Sequence, residues 1–213
     1  MTNRLFPFAV LPVLVILVSV ILVSGASAQR NEISGLIGRT FISDQGVSGT
    51  GLPDSNIHFG NGLTFEVNYG RHLLNAGIFE VTAEIPAIFD PNHKLHFGLQ
   101  DEPRSFASYF ITPSARVNLF PDGGFSPWVS VGGGIGHFSY DSRLESGQPN
   151  PNRSGTTTGV LQIGAGLDVR VVHSVYLRGE IRELNSGEPQ FNLITGKSRY
   201  YNLFAGAGLS WHF

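Results

Sequence analysis

Cysteine is absent. A disulfide framework, a thiolate metal site and a lipid-modified cysteine are therefore all excluded. Charged residues are scarce, at 14%. The net charge is only −2, so the basic footprint of a nucleic-acid binder is missing. No Gly-x-Ser-x-Gly run occurs, which removes the strand-to-helix nucleophile elbow. The Gly-x-Gly pairs fall inside alternating segments and not at strand-to-helix turns, so they do not read as phosphate loops.

What is present is glycine, at 27 residues, and aromatics, at 11% with 16 Phe. That mixture suits an all-β chain with many turns. The first segment stands apart. Met1 to Arg4 carries one positive charge, Leu5 to Val23 is apolar apart from Ser19, and Ser24-Gly25-Ala26-Ser27-Ala28 supplies small residues. This is the pattern of a secretory signal peptide, with cleavage expected after Ala28. A retained membrane helix is the alternative, but Pro7, Pro12 and the small-residue exit favour cleavage. The expected domains are thus 1–28, a cleaved signal, and 29–213, the mature domain.

Tyr200 to Phe213 alternates cleanly. Leu203, Ala205, Ala207, Leu209, Trp211 and Phe213 point one way; Asn202, Phe204, Gly206, Gly208, Ser210 and His212 point the other. Such a strand needs a neighbour on each side, and pairing with the first strand would close the sheet. Seven more extended segments precede it: Glu32 to Ile42, Leu63 to Arg71, Ile78 to Ile85, Ala107 to Leu119, Pro127 to Tyr140, Thr157 to Val171 and one beginning at Val175. Their connections alternate long and short. The short ones are His72 to Asn75, Pro121 to Gly124 and His173-Ser174. The long ones are about 43–61, 86–106, 141–156 and 186–198. An even strand number with loops sorted by length predicts an all-β, eight-stranded antiparallel up-and-down transmembrane β-barrel, with short periplasmic turns and long extracellular loops. Pro113 sits within the fourth strand and predicts a bulge or local break. Leu95 to Leu99 reads as a hairpin extension beyond the membrane.

A soluble ligand-binding barrel would put its apolar face inside. Here the polar face carries Gly132, Gly134, Gly136, Gly164, Gly166, Gly206 and Gly208, which suit a narrow interior. Phe65, Tyr69, Tyr109, Trp211 and Phe213 fall near strand ends on the apolar face, in girdle positions. Lipid outside is the reading that follows. The leading segment, Gly-Leu-Thr-Phe-Glu-Val-Asn-Tyr-Gly at 62–70, Gly-Ala-Gly-Leu-Asp-Val-Arg at 164–170 and the final Trp-His-Phe resemble the small outer-membrane barrels of the OmpA/OmpX type. The resemblance implies outer-membrane lipid and lipopolysaccharide as surroundings. It also implies that Trp211 and Phe213 form part of a signal read by the barrel-assembly machinery.

Glu66, Glu80, Glu84, Asp168 and Glu180 share the inward face with Arg116, Arg170, Arg178 and Arg182. An eight-stranded barrel is just wide enough for side chains to fill, and charges inside must pair. A structural salt-bridge plug is expected, and a gated ion path is the alternative. His93 and His96 lie in a loop without a fixed frame, and His137 and His212 are single, so no metal site and no cofactor are expected. Glu183-Leu184-Asn185-Ser186-Gly187 is similar to the active-site region of outer-membrane lipid A deacylases, but Glu183 stands where their His would be, and the general base is missing. The expected function is structural or surface-interacting (adhesion-like), in a monomer of the bacterial outer membrane. Its external loops are open to an extracellular ligand. A narrow ion or small-solute pore is the alternative, and a lipid A-modifying enzyme ranks behind it.

Overall fold

The computed structural model describes residues 31–42, 45–46, 56–59, 62–96, 105–141, 148, 155–187 and 199–213. The expected signal segment and most of the four long connections lie outside the described residues. Among the described residues there are eleven strands: β1 (Asn31–Ile42), β2 (Gln45–Gly46), β3 (Asn56–Phe59), β4 (Gly62–Asn75), β5 (Phe79–His96), β6 (Ser105–Ile111), β7 (Ser114–Leu119), β8 (Phe125–Tyr140), β9 (Gly155–Val172), β10 (Val175–Gly187) and β11 (Arg199–His212). β6 and β7 are two halves of one stave. β2 and β3 form a small ladder at the far end, against the tip of β5.

The remaining strands make a closed, all-antiparallel barrel of eight staves. β1 pairs with β4 on one side and with β11 on the other, from Glu32 opposite His212 to Ile42 opposite Asn202. The start of β1 and the residue after β11 are bonded to each other: Asn31 N donates to Phe213 O at 2.6 Å and Phe213 N to Asn31 O at 2.8 Å. Closure leaves no barrel edge unpaired. The three tight turns and both strand termini share one end, here the terminal end.

Period-two patterning is visible in accessibility. Along β4, Leu63, Phe65, Val67 and Tyr69 are exposed, while Thr64, Glu66 and Asn68 are buried. The other staves repeat this, with Val129, Val131, Leu161, Ile163, Leu177 and Ile181 all facing out. The arrangement inverts that of a water-soluble domain.

Three boundaries differ from expectation. The strand that was to end at Ile85 continues through Pro86 to His96, and β6 begins at Ser105. The connection expected over 86–106 is therefore largely ladder, and Leu95 opposite Phe59 belongs to its extension. The turn expected at His72 to Asn75 lies further on, because β4 carries an extra residue. His72 pairs with Thr82 and Leu74 with Val81, so Leu73 is a bulge and both leucines face out. Gly77, at φ 81°, then makes the turn, donating its N–H to Asn75 Oδ1 at 2.8 Å.

Pro113 breaks the ladder as expected. Glu84 opposes Ser114 and Ala87 opposes Ile111, so the register is continuous across the gap. Thr112 N donates to Pro86 O at 3.2 Å and Gly133 N to Pro113 O at 3.1 Å. In each pair the returning bond is missing because proline has no N–H. Two prolines thus remove one bond on either side of the same stave without shifting it.

Candidate functional site

The bore holds two layers. Nearer the terminal end is a chain of alternating charges. Arg178 grips Asp168 with Nε and Nη2 at 2.7 and 2.8 Å and reaches Glu32 Oε1 with Nη1 at 3.0 Å. Arg116 grips the same Glu32 with Nη1 and Nη2 at 2.7 and 2.6 Å and reaches Glu84 Oε2 at 3.2 Å. Arg182 donates to Glu84 Oε1 at 2.8 Å and to Glu180 Oε1 at 2.5 Å, and lies 3.4 Å from Glu66 Oε2. Five staves contribute besides the Arg116 stave: β9, β10, β1, β5 and β4. All three guanidiniums are 0% exposed. Their carbon atoms sit 5.5, 5.6 and 5.2 Å from the ring centre of Trp128. One indole thus serves as a platform for three cations.

Room for that indole comes from a glycine. A Cβ on Gly166 would lie 2.4 Å from Trp128 Cζ2. Gly206 and Gly136 play the same part for the rings of Phe204 and Phe110. These glycines suit a narrow interior because large rings, from a neighbouring stave over Gly166 and Gly136 and from the same strand over Gly206, lie across them.

Further from the termini the filling becomes apolar. Leu36, Ile88, Phe110, Phe138, Leu184 and Phe204 are at most 2% exposed, and Tyr200 is buried among them. Phe138 meets Phe110 and Tyr200 edge-on, at 5.6 and 5.9 Å. A polar relay borders this layer: Thr40 and Thr64 hydroxyls lie 2.9 Å apart, and Thr64 donates to Asp90 at 2.9 Å.

The charge chain gathers Glu66, Glu84, Arg116, Asp168, Arg178, Glu180 and Arg182. Two of the residues expected with them stand elsewhere. Arg170 is exposed at the end of β9, where the bore opens, and it donates to Tyr176 Oη at 3.0 Å and Asp122 O at 3.2 Å. Glu80 is buried but bonds His72 and not an arginine. The carboxylate that joins two of the arginines, Glu32, was missed, as were Trp128 and His72. The signal for Glu32 was available, since it shares a face with Ser34 and Thr40 against Ile33, Ile37 and Phe41.

On the outer face, Trp211 and Phe213 rings lie 4.9 Å apart at the terminal end, and Tyr69 Oη donates to Asn31 Oδ1 at 3.0 Å. Phe89 and Tyr109 pair at 4.8 Å on the other side of the barrel's waist. His137 also faces outward, with Nδ1 2.8 Å from Thr157 Oγ1. Glu183 is exposed on the outer face, and Ser186 is buried with its hydroxyl 3.5 Å from Tyr200 O.

No protein-family model and no curated protein matches the chain. Solved structures do. Neisserial surface protein A is similar over 89% of this chain and 100% of its own, with a TM-score of 0.55 at 15% identity. The outer membrane protein OprG from Pseudomonas aeruginosa is similar over 89% of this chain and 98% of its own, with a TM-score of 0.51 at 11% identity. The outer membrane enzyme PagL is similar over 84% of this chain and 97% of its own, with a TM-score of 0.45 at 13% identity. At such identities the likeness is one of fold: this chain is a closed eight-stranded barrel of the kind built by small outer-membrane proteins.

Proposed function

We propose that the chain is a monomeric outer-membrane protein whose barrel is an anchor, with a structural or surface-interaction role carried by the long connections opposite the termini. The observation that carries this reading is the double filling of the bore. Arg116, Arg178 and Arg182 are each held by at least two carboxylates, and the apolar layer of Phe110, Phe138 and Phe204 lies above them. An ion would have to break charge-assisted bonds and then pass a largely apolar layer of packed rings. The apolar outer face supports burial in lipid, since exposed leucine, isoleucine and valine at every second position have no use in water. The enzyme reading has less support. Glu183 faces away from the bore and Ser186 away from solvent, so these two do not meet in a cleft.

Planar-bilayer recording tests the anchor against the pore. The refolded chain is expected to insert without steady current. A stable open-channel current that changes in Arg116→Ala would overturn the anchor reading.

A further inference from the structure

We propose that Glu32, His72 and His212 bind one divalent transition metal of the zinc class at the terminal mouth of the bore. The three come from three adjacent staves, β1, β4 and β11, which the closure brings together. His72 Nε2 lies 3.6 Å and His212 Nε2 3.4 Å from Glu32 Oε2, and all three ligand atoms lie within 4.8 Å of one another. Ligands about 2.0–2.1 Å from a tetrahedral zinc stand roughly 3.3 Å apart. The carboxylate-to-imidazole spacings are already close to that.

The second observation is chemical. His72 is 9% exposed, and its Nδ1 is paired with Glu80 Oε1. A carboxylate on Nδ1 fixes the Nδ1–H tautomer and aims the Nε2 lone pair away from it. His72 Nε2 is then an acceptor, 3.6 Å from Glu32 Oε2. His72 Nε2 and His212 Nε2 are both buried without a hydrogen-bond partner. Glu32 Oε2 accepts from Arg116 Nη2 at 2.6 Å, but the two imidazole nitrogens beside it have no partner, and a cation shared with the carboxylate would supply one. A proton on one imidazole or a metal ion would satisfy the same gap.

Three features favour the metal. The bulge at Leu73 re-aims β4 beside His72. The Tyr176 ring stacks on His212 at 4.1 Å and 21°, holding the second imidazole in place. A cavity of about 20 Å³ adjoins both histidines and is lined also by Glu80, Asp168, Asp122 and Tyr176. It has room for one water as fourth ligand. The nearby cations do not forbid the ion. Arg178 and Arg116 hold Glu32, but each has a second carboxylate, Asp168 and Glu84. The remaining neighbours of the imidazoles are neutral or acidic; the Thr82 hydroxyl, for example, lies 3.4 Å from His72 Nδ1.

The test uses the untagged full chain, refolded in detergent and stripped with a chelator. Zn²⁺ is titrated by calorimetry and Co²⁺ by visible absorption. One equivalent of Zn²⁺ and the d–d bands of four-coordinate Co²⁺ are expected. His72→Gln and His212→Gln should each weaken binding at least tenfold, and Glu80→Gln by about ten- to a hundredfold with the Co²⁺ band shape kept. Unchanged binding in both histidine variants would overturn the proposal. So would the absence of saturable Zn²⁺ binding or of four-coordinate Co²⁺ bands in the folded parent chain, which needs no variant to fold; a proton would then fill the gap.

Discussion

One missing methyl group decides whether Trp128 can lie across the bore. A Cβ on Gly166 would meet Trp128 Cζ2 at 2.4 Å and the Gly179 carbonyl oxygen at 2.7 Å. The ring could shift, but only by leaving three guanidiniums; the carbonyl is part of the ladder. Gly166→Ala should therefore cost about 1–3 kcal/mol. Gly179→Ala, with nothing within 4 Å of its Cβ, should change stability by no more than about 0.5 kcal/mol. Urea unfolding in lipid vesicles, followed by tryptophan fluorescence, compares the two. The charge chain makes a sharper demand. Glu84 accepts from Arg116, Arg182, Asn68 and Ser114. Glu84→Ala leaves buried donors short of an acceptor and should cost about 3–5 kcal/mol in the same assay. At this scale the sequence was informative about direction and silent about partners. Alternation puts Glu66, Arg116 and Arg182 on one face. That Arg178 meets Glu32 across 146 positions of chain follows only once β11 closes on β1. Apolar residues on the inner face, such as Leu36 and Leu184, were harder to read, because they make both faces of a strand greasy.

Among the elements, proline and turn chemistry explain where reading succeeded and failed. Pro113 was legible because its ring removes a ladder donor wherever it falls. Pro86 opens the connection expected over 86–106, yet β5 runs through it. It is tolerated because its missing N–H faces Thr112 in the stave that Pro113 already interrupts, so both losses fall at one level of the wall. The short turns were legible from Asp-Gly-Gly and His-Ser, but the bulge at Leu73 was not, since nothing in Arg71-His72-Leu73-Leu74 marks which residue is extra. The ladders also predict what the long connections contribute. β10 and β11 stay paired out to Gly187 opposite Arg199. Replacing 188–198 by a Gly-Ser turn of about four residues should shift unfolding free energy by no more than about 1 kcal/mol, because loop-closure entropy changes slowly with length. A heat-modifiability gel and urea unfolding check it. A loss of several kcal/mol would mean that this segment packs onto the barrel and is more than a tethered surface.

For the molecule as a whole, the inside and outside are solved by different physics. Water cannot drive apolar side chains inward when they already face out, so the inner ladder of ion pairs and rings fixes one cross-section while the outer face only matches its solvent. The two faces should then respond differently to the same kind of change. Val131 is 58% exposed near the middle of β8, opposite Ile163 of β9 and Ala115 of β7. On a water-facing strand Val131→Arg would be close to neutral. On a lipid face near the bilayer midplane it should cost about 2–4 kcal/mol, falling toward zero for a similar change near either rim. Val131→Arg and Leu203→Arg, with its site displaced toward the far end, would be unfolded in vesicles side by side. A depth-dependent penalty follows if hydrocarbon wets the wall. A uniform, negligible one would require another protein surface, or water, to cover it, and the barrel would then need a different explanation for its greasy exterior.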